Sequence, residues 1–297
     1  MNILLTGAWK DADKYKPELE RMGHKVAFLQ QEKDGLPCSY DWVEGVVCNG
    51  LFLSHSIENF KNLKYIQLTS AGFDRVPMEY VKKHNIEIHN AGGVYSIPMA
   101  EFAICGVLQL YKQSRFFYQN QNENKWEKRR ELLEIYGKTV VIVGCGSVGT
   151  ECAKRFSAFG CNVIGVDLYP KEDKNYNRMV ALDLLDTEIS DADIVVLTLP
   201  LTDETYHLFS DKKLNRLRSN AILVNISRGA VIDTVALIEI LPNIGGAVLD
   251  VFEEEPLPKN NPLWDMENVI ITPHNSFVGD GNRNRLNNMI ISNLNRG

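Results

Sequence analysis

The sequence predicts an α/β fold made of two doubly wound parallel sheets. Two series of short β-branched runs alternate with helical stretches along its 297 residues, and such alternation is typical of parallel sheets. A polar break, Asn90-Ala91-Gly92-Gly93, separates the two series. The third observation is a glycine-rich turn between the first strand and the first helix of the second series.

Composition narrows the class of protein. With 44% apolar and 24% charged residues the chain is of ordinary globular type, and its length favours two domains. A net charge of -6 argues against nucleic acid or an anionic membrane as a partner. Six scattered cysteines without a C-x-x-C pair predict neither a metal site nor disulfides, so we expect a reducing, cytoplasmic location. The longest apolar stretch, 97–110, is too short and too interrupted to span a membrane.

The first series predicts one sheet. Its five strands are expected at residues 3–6, 26–29, 46–48, 65–68 and 86–89. A helix over 97–117 then carries the chain elsewhere, so we place a domain boundary just before it.

The second series predicts another sheet. Its six strands are expected at residues 139–143, 163–167, 194–199, 222–225, 247–250 and 269–272. The polar stretch 119–130, which bears Trp126, favours a solvated arm over a binding motif. A further helical run is expected near 283–295.

The glycine-rich turn predicts a dinucleotide site. Gly144-Cys145-Gly146-Ser147-Val148-Gly149 is a G-x-G-x-x-G that follows a strand and opens a helix, the context in which that motif binds pyrophosphate. Asp167 ends the next strand, where a carboxylate accepts hydrogen bonds from both ribose hydroxyls of NAD but repels the 2′-phosphate of NADP. The sequence therefore predicts NAD, and a turn-capping role for Asp167 is the structural alternative.

Three charged or titratable groups follow later strands. Arg228 and His274 each lie just beyond a predicted strand, and Asp250 ends one. Ligands bind outside the carboxyl ends of parallel strands. Beside a nicotinamide, a cation that holds a carboxylate and an imidazolium that protonates a carbonyl oxygen suit the reduction of a 2-oxo acid. Each residue taken alone also has a structural explanation, such as a turn cap at Arg228 or a solvated acidic loop at 253–255.

Four ordered blocks resemble the D-isomer-specific 2-hydroxyacid dehydrogenase family over nearly the whole chain. The blocks are Ala192-Asp193-Ile194-Val195-Val196-Leu197 with Leu199-Pro200-Leu201-Thr202 and Glu204-Thr205, then Val224-Asn225-Ile226-Ser227-Arg228-Gly229, then Ala247-Val248-Leu249-Asp250-Val251-Phe252 with Glu255-Pro256 and Pro262-Leu263-Trp264, and finally Ile271-Thr272-Pro273-His274.

The resemblance implies a domain plan and an activity. A flavodoxin-like substrate domain would comprise 1–94 and 275–297, and a Rossmann domain over 95–274 would bind NAD and mediate a homodimer. The implied reaction transfers hydride between NADH and a small 2-oxo acid such as glyoxylate or hydroxypyruvate, giving a D-2-hydroxy acid.

The resemblance also assigns roles to residues. Arg228 would bind the substrate carboxylate, His274 would be the acid or base, and Glu255 would hydrogen-bond His274. The loop Ser70-Ala71-Gly72-Phe73-Asp74 resembles the family's substrate loop, in which the N–H groups of Ala71 and Gly72 would bind the carboxylate. The residues implied at the cofactor are the loop residues Gly144, Gly146, Ser147, Val148 and Gly149, together with Asp167, Pro200, Thr205, Ile226, Ser227 and Asp250, with Asp250 at the nicotinamide amide.

The sequence departs from the family pattern after His274. Small residues, often glycines, usually follow that histidine, whereas this chain has Asn275-Ser276-Phe277. The departure leaves the detailed nicotinamide contacts open.

Three alternative functions remain. Phosphoglycerate dehydrogenase would need cations near the substrate loop, where Arg75 is the nearby candidate. Formate dehydrogenase pairs its histidine with glutamine, so Glu255 counts against it. Co-repressors of the C-terminal-binding-protein type retain the NAD site and the triad, but no basic surface or peptide-binding signature favours them.

Overall fold

A computed structural model describes residues 1–295, which form two compact units. The first unit comprises residues 1–95 and the chain from Gly279 onward, and the second comprises residues 96–278. Arg296 and Gly297, the last two residues of the predicted substrate domain, lie outside the described residues.

Strands and helices alternate along the described chain. The strands are β1 (Asn2–Thr6), β2 (Lys25–Leu29), β3 (Gly45–Cys48), β4 (Tyr65–Leu68), β5 (Glu87–His89), β6 (Thr139–Val143), β7 (Asn162–Asp167), β8 (Arg178–Ala181), β9 (Ile194–Leu197), β10 (Ile222–Asn225), β11 (Gly246–Leu249) and β12 (Val269–Ile271). The α-helices are α1 (Ala12–Arg21), α2 (Met78–Lys83), α3 (Ser96–Tyr111), α4 (Ser114–Asn122), α5 (Ser147–Ala158), α6 (Leu185–Ser190), α7 (Asp211–Leu214), α8 (Thr234–Ile240) and α9 (Asn282–Leu294).

The first unit is built on a five-stranded parallel sheet in the order β2-β1-β3-β4-β5. This is the flavodoxin-type order, and the five predicted strands are confirmed. Successive side chains alternate between the two faces: Leu4 packs into one apolar cluster and Ile3 into another. Ile290 and Leu294 of α9 belong to the second cluster, so the end of the chain covers one face of this sheet.

The second unit is built on a seven-stranded parallel sheet in the order β12-β11-β10-β9-β6-β7-β8. Both faces are buried, because Val141 and Val143 face one apolar cluster while Val140 and Ile142 face the other. The continuous β-branched run of β6 follows from this two-sided burial. The Rossmann order places β7 and β9 on opposite sides of β6, which makes the carboxyl end of β6 a switch point for ligands.

Two elements differ from the sequence prediction. The prediction of six strands in the second series was wrong, because β8 is a seventh strand at the edge of the sheet, pairs with β7 alone and lacks an apolar run. The predicted helix over 97–117 is interrupted at Gln113, whose φ of 48° is left-handed, and continues as α4. The following arm, residues 125–135, has no regular secondary structure, and Trp126 is 95% exposed there.

Within residues 1–295, no helix is both long enough and apolar enough to cross a membrane. The same residues contain no group of three or more His, Cys, Asp or Glu side chains arranged around a possible metal position. All six cysteines are free thiols.

Candidate active site

The glycine loop joins β6 to α5 through a tight turn. Gly144 has a left-handed φ of 92° and donates its N–H to Val166 at 2.8 Å. A Cβ on Gly149 would lie 2.2 Å from the carbonyl oxygen of Gly144. Both glycines are therefore required by the packing of the turn against the helix, since any side chain would force the two apart.

Gly146 differs from the other two glycines because it faces open space. A Cβ built there meets no atom within 4 Å, and Ser147 opens α5 immediately afterwards. The first N–H groups of a helix have no partner within the helix and favour an anion. The loop therefore fits a pyrophosphate that approaches the backbone where a side chain would stand.

Asp167 lies at the end of β7 and faces the glycine loop. Its Oδ2 accepts the Cys145 N–H at 2.8 Å, and its Oδ1 accepts the Tyr169 N–H at 3.0 Å. Each carboxylate oxygen can accept a second hydrogen bond, so the residue keeps capacity for ribose hydroxyls while bracing the loop. Burial raises the pKa of the Cys145 thiol to about 12, so this thiol adds no charge beside the pyrophosphate position.

The loop after β9 is shaped by Thr205. This residue is 5% exposed, and its hydroxyl donates to the Pro200 carbonyl and accepts the Thr202 N–H, both at 2.7 Å. Thr205 therefore fixes the course of the exposed Pro200, and its hydroxyl is engaged within the loop.

The turn after β10 holds Arg228 through a small hydrogen-bond network. Asn225 Oδ1 accepts from the hydroxyl and the N–H of Ser227, at 2.8 and 3.1 Å, and Asn225 Nδ2 donates to the Arg228 carbonyl at 3.1 Å. Ile226 and Ser227 are buried, whereas Arg228 is half-buried. The guanidinium also donates to the Ser227 carbonyl at 2.8 Å.

Gly229 brings this turn against the acidic loop after β11. A Cβ on Gly229 would lie 1.8 Å from the carbonyl carbon of Phe252 and 2.4 Å from the nitrogen of Glu253. The two loops can approach this closely only because residue 229 has no side chain. Arg228 is thereby placed one residue from the contact with the loop that carries Glu255.

Glu255 and His274 form a side-chain pair. Glu255 Oε1 accepts the Phe252 N–H at 3.0 Å, which fixes the carboxylate, and Oε2 lies 2.9 Å from His274 Nδ1. The side chains are 37% and 43% exposed, respectively, so the pair is open to solvent and to a ligand. Glu255 contacts only Nδ1, so the Nε2 atom of His274 is not engaged by this carboxylate.

Asp250 organises the backbone around His274. It is fully buried, and its carboxylate accepts the Thr272 hydroxyl at 2.6 Å, the Asn275 N–H at 2.7 Å and the Ser276 N–H at 2.9 Å. The Asp250 carbonyl accepts the His274 N–H at 2.7 Å, where the chain takes a left-handed φ of 50°.

These contacts are compatible with the departure from the family pattern after His274. Asn275 and Ser276 bind Asp250 through their N–H groups, so the bonds do not depend on their side chains. The Phe277 ring stands edge-on to the imidazole, with 6.2 Å between centroids. The expected contact of Asp250 with the nicotinamide amide stays a prediction.

Sequence analysis did not identify a second pair of a glutamate and a histidine, Glu253 with His207, which also involves the acidic loop. Glu253 Oε1 accepts the N–H and the hydroxyl of Thr234, at 2.8 and 2.9 Å, and lies 3.2 Å from His207 Nε2. Glu253 thus anchors the acidic loop to the first residue of α8. Three consecutive glutamates carry no signal that distinguishes the anchor, the partner of the histidine and the exposed Glu254.

The predicted substrate loop lies in the first unit, after β4. The Ser70 hydroxyl donates to the Gly72 carbonyl at 3.1 Å, and Asn90 Nδ2 donates to the Ala71 carbonyl at 2.6 Å. Within residues 1–295, the N–H groups of Ala71 and Gly72 make no hydrogen bond. The loop thus presents two adjacent donors.

Comparison with known families decides the identity of the second unit. Residues 104–276 match the model of the D-isomer specific 2-hydroxyacid dehydrogenase NAD-binding domain. The chain belongs to this family. Members of this family are NAD-dependent oxidoreductases, and the match spans the glycine loop, Arg228, Glu255 and His274.

Individual relatives agree with this assignment. A glyoxylate reductase from Korarchaeum cryptofilum is 33% identical over 78% of this chain and 72% of its own length. A D-3-phosphoglycerate dehydrogenase from Methanocaldococcus jannaschii is 37% identical over 73% of this chain, which spans 42% of that longer protein.

A solved structure extends the similarity beyond the NAD-binding unit. The crystal structure of a D-isomer specific 2-hydroxyacid dehydrogenase from Xanthobacter autotrophicus, in complex with NADPH and MES, matches with a TM-score of 0.81. It has 27% sequence identity, and the match covers 99% of this chain and 94% of that one.

Proposed function

We propose that this dehydrogenase reduces a small 2-oxo acid, such as glyoxylate or hydroxypyruvate, with NADH, using Arg228, Glu255 and His274. The observation that carries the proposal is the 2.9 Å contact of Glu255 with His274 Nδ1, because it leaves Nε2 to exchange a proton with substrate. The relatives named glyoxylate reductase support the substrate class.

The residues of the chain would divide the chemistry as follows. NADH, when bound, supplies the hydride. The planar guanidinium of Arg228 binds the substrate carboxylate and polarises the carbonyl. His274 Nε2 donates a proton to the carbonyl oxygen as that oxygen becomes an alkoxide, and in the reverse direction it accepts the proton of the hydroxyl. Glu255 holds the ring in this orientation through a charge-assisted hydrogen bond.

The remaining site assignments are proposals as well. Ala71 and Gly72 would bind the substrate carboxylate through their two unpartnered N–H groups. In the second unit, the proposed cofactor contacts are the glycine loop, Asp167, Pro200, Thr205, Ile226, Ser227 and Asp250. The first unit would be the substrate domain and the second the NAD-binding domain, close to the bounds 1–94 with 275–297 and 95–274.

The oxidation of NADH with a panel of 2-oxo acids tests this function. Turnover with glyoxylate or hydroxypyruvate is expected, and it should fall at least a hundredfold in His274→Gln and in Arg228→Lys while NADH binding persists. Absence of turnover with every 2-oxo acid, in a protein that binds NADH, would contradict the proposal.

A second candidate function is the oxidation of 3-phosphoglycerate. The relative named D-3-phosphoglycerate dehydrogenase, at 37% identity, favours it. A phosphorylated substrate would require cations at its far end, and Arg75 is the candidate next to the substrate loop.

We also propose that the protein is a cytoplasmic homodimer. The six free thiols support a reducing compartment. In the arm 125–135, Trp126 is 95% exposed, and aromatic residues are enriched at protein–protein interfaces. Light scattering should give twice the chain mass, and Trp126→Ala should weaken the dimer; a monomer at micromolar concentration would contradict it.

A further inference from the structure

The Glu32 carboxylate lies at the carboxyl ends of β1 and β3 in the first unit. Its Oε1 accepts the Asn49 N–H at 2.7 Å and the buried Thr6 hydroxyl at 2.8 Å, and its Oε2 accepts the Gly50 N–H at 2.6 Å. Because β2 and β3 flank β1 on opposite sides, this is the switch point of the sheet, where ligands bind in folds of this kind. A side chain of the protein thus occupies donors that could otherwise bind an anion.

The charge of Glu32 is held in place but not neutralised by these contacts. All three donors, the Asn49 and Gly50 N–H groups and the Thr6 hydroxyl, are uncharged. A Cβ on Gly50 would lie 3.4 Å from Glu32 Oε2 and 3.8 Å from Cδ of Arg75. The side chain of Arg75, the candidate cation for a phosphorylated substrate, therefore lies near the Glu32 carboxylate.

The position of Glu32 relates to that of the substrate loop. The Thr69 N–H donates to the Cys48 carbonyl at 2.9 Å. The segments that follow β3 and β4 therefore start next to each other, because neighbouring strands are about 5 Å apart. On the opposite side of the loop, Asn90 binds the Ala71 carbonyl. Ala71 and Gly72 therefore follow the strand next to β3, at the same edge of the sheet as Glu32.

We propose that Glu32 is a specificity-determining residue that excludes phosphorylated substrates, so that the enzyme acts on unphosphorylated 2-oxo acids. This inference rests on the proposed function and on the assigned substrate loop. A phosphate ester adds up to two negative charges at the end of the substrate nearest Glu32, and like charges repel strongly at a site partly shielded from water. A hydroxyl at the same end can donate to Oε2, which accepts a single hydrogen bond in the structure.

The test compares hydroxypyruvate with its 3-phosphate ester as substrates for NADH oxidation. In the wild type, kcat/KM for hydroxypyruvate should be at least a hundredfold higher than kcat/KM for the phosphate ester. In Glu32→Gln, this ratio of the two kcat/KM values should be at least tenfold smaller. Glu44→Gln is the matched control: Glu44 also accepts a backbone N–H, from Asn2 at 2.8 Å, but at the amino ends of the same strands. It should leave the ratio unchanged.

A second measurement needs no variant. Since salt screens charge repulsion, the wild-type ratio should narrow as ionic strength rises. Equal use of both substrates by the wild type, an unchanged ratio in folded Glu32→Gln, or a ratio independent of salt would overturn the role of Glu32. Loss of turnover with every 2-oxo acid would instead overturn the proposed function, so the two failures are distinguishable.

Discussion

Glu255 Oε2 lies 2.9 Å from His274 Nδ1, while Glu255 Oε1 is bound to the Phe252 N–H. The carboxylate is thus fixed by its own loop and in turn fixes the imidazole. The ring stands on a backbone of left-handed φ, and the Phe277 ring lies edge-on to it. The orientation of the proposed proton donor therefore depends on this carboxylate.

The first prediction follows from that dependence. Glu255→Gln keeps the shape of the side chain but removes the charge that strengthens the hydrogen bond, so kcat for 2-oxo acid reduction should fall at least tenfold. The Kd for NADH, measured by fluorescence titration, should stay the same. Glu254→Gln, an exposed neighbour in the same loop, should match the wild type. An equal kcat in both variants would show that Glu255 does not orient His274.

Substitutions at Gly146 and Gly149 of the cofactor loop should have different effects. Gly146→Ala places a methyl group in open space, so the melting temperature should change by less than about 2 °C while the Kd for NADH rises at least tenfold. Gly149→Ala places a Cβ against the Gly144 carbonyl, so it should lower the melting temperature by more than about 5 °C. Unaltered NADH binding in Gly146→Ala would show that the pyrophosphate does not bind at this loop.

Asp167 should set the preference between the two nicotinamide cofactors. Its carboxylate faces the glycine loop and would repel a 2′-phosphate, so Asp167→Ala should narrow the NADH to NADPH ratio of kcat/KM at least tenfold. Asp173→Ala, which removes another carboxylate after β7, serves as the control. If both variants keep the wild-type ratio, Asp167 is not at the ribose.

The sequence predicted the buried strands of both sheets because their β-branched runs are long and continuous. It missed β8, since an edge strand with one partner needs no apolar run. It also missed the interruption at Gln113, where a left-handed φ has no signal in a residue that is not glycine.

Motif position indicated Arg228, Glu255 and His274, and the structure brings Glu255 and His274 into contact. The contacts that hold other carboxylates in the two units could not be predicted from the sequence. Glu32 accepts the N–H groups of Asn49 and Gly50, and Glu253 accepts the N–H of Thr234. Backbone donors of this kind are the same for nearly every residue type. Only the fold reveals which carboxylate they meet.

A pH-dependent contribution to stability should come from Asp11. Hydrogen bonds from Arg283 and Asn287 hold the pKa of its carboxyl at about 2, below the usual 3.8. Because folding lowers this pKa, the ionised carboxylate stabilises the fold fully above pH 3.8. The stabilisation is lost as the pH falls through about 2. Asp11→Asn should therefore destabilise the protein by about 1 kcal/mol near neutrality, discounted because Arg283 is exposed.

Unfolding midpoints measured between neutral pH and pH 2.5 check the Asp11 prediction. The difference between wild type and Asp11→Asn should shrink below about pH 4. Asp13→Asn, an exposed carboxylate on α1, should show no such trend. A difference that stays constant over the whole range would mean that the ion pair with Arg283 does not stabilise the fold.

The stereochemistry of the product tests the central claim most directly. Hydroxypyruvate and NADH should be incubated with the wild-type protein and with His274→Gln, and the glycerate formed should be resolved on a chiral column. The wild type is expected to form D-glycerate, one molecule for each NADH consumed, and His274→Gln at least a hundredfold less. L-glycerate, a racemic product, or no glycerate from a protein that binds NADH would contradict the account.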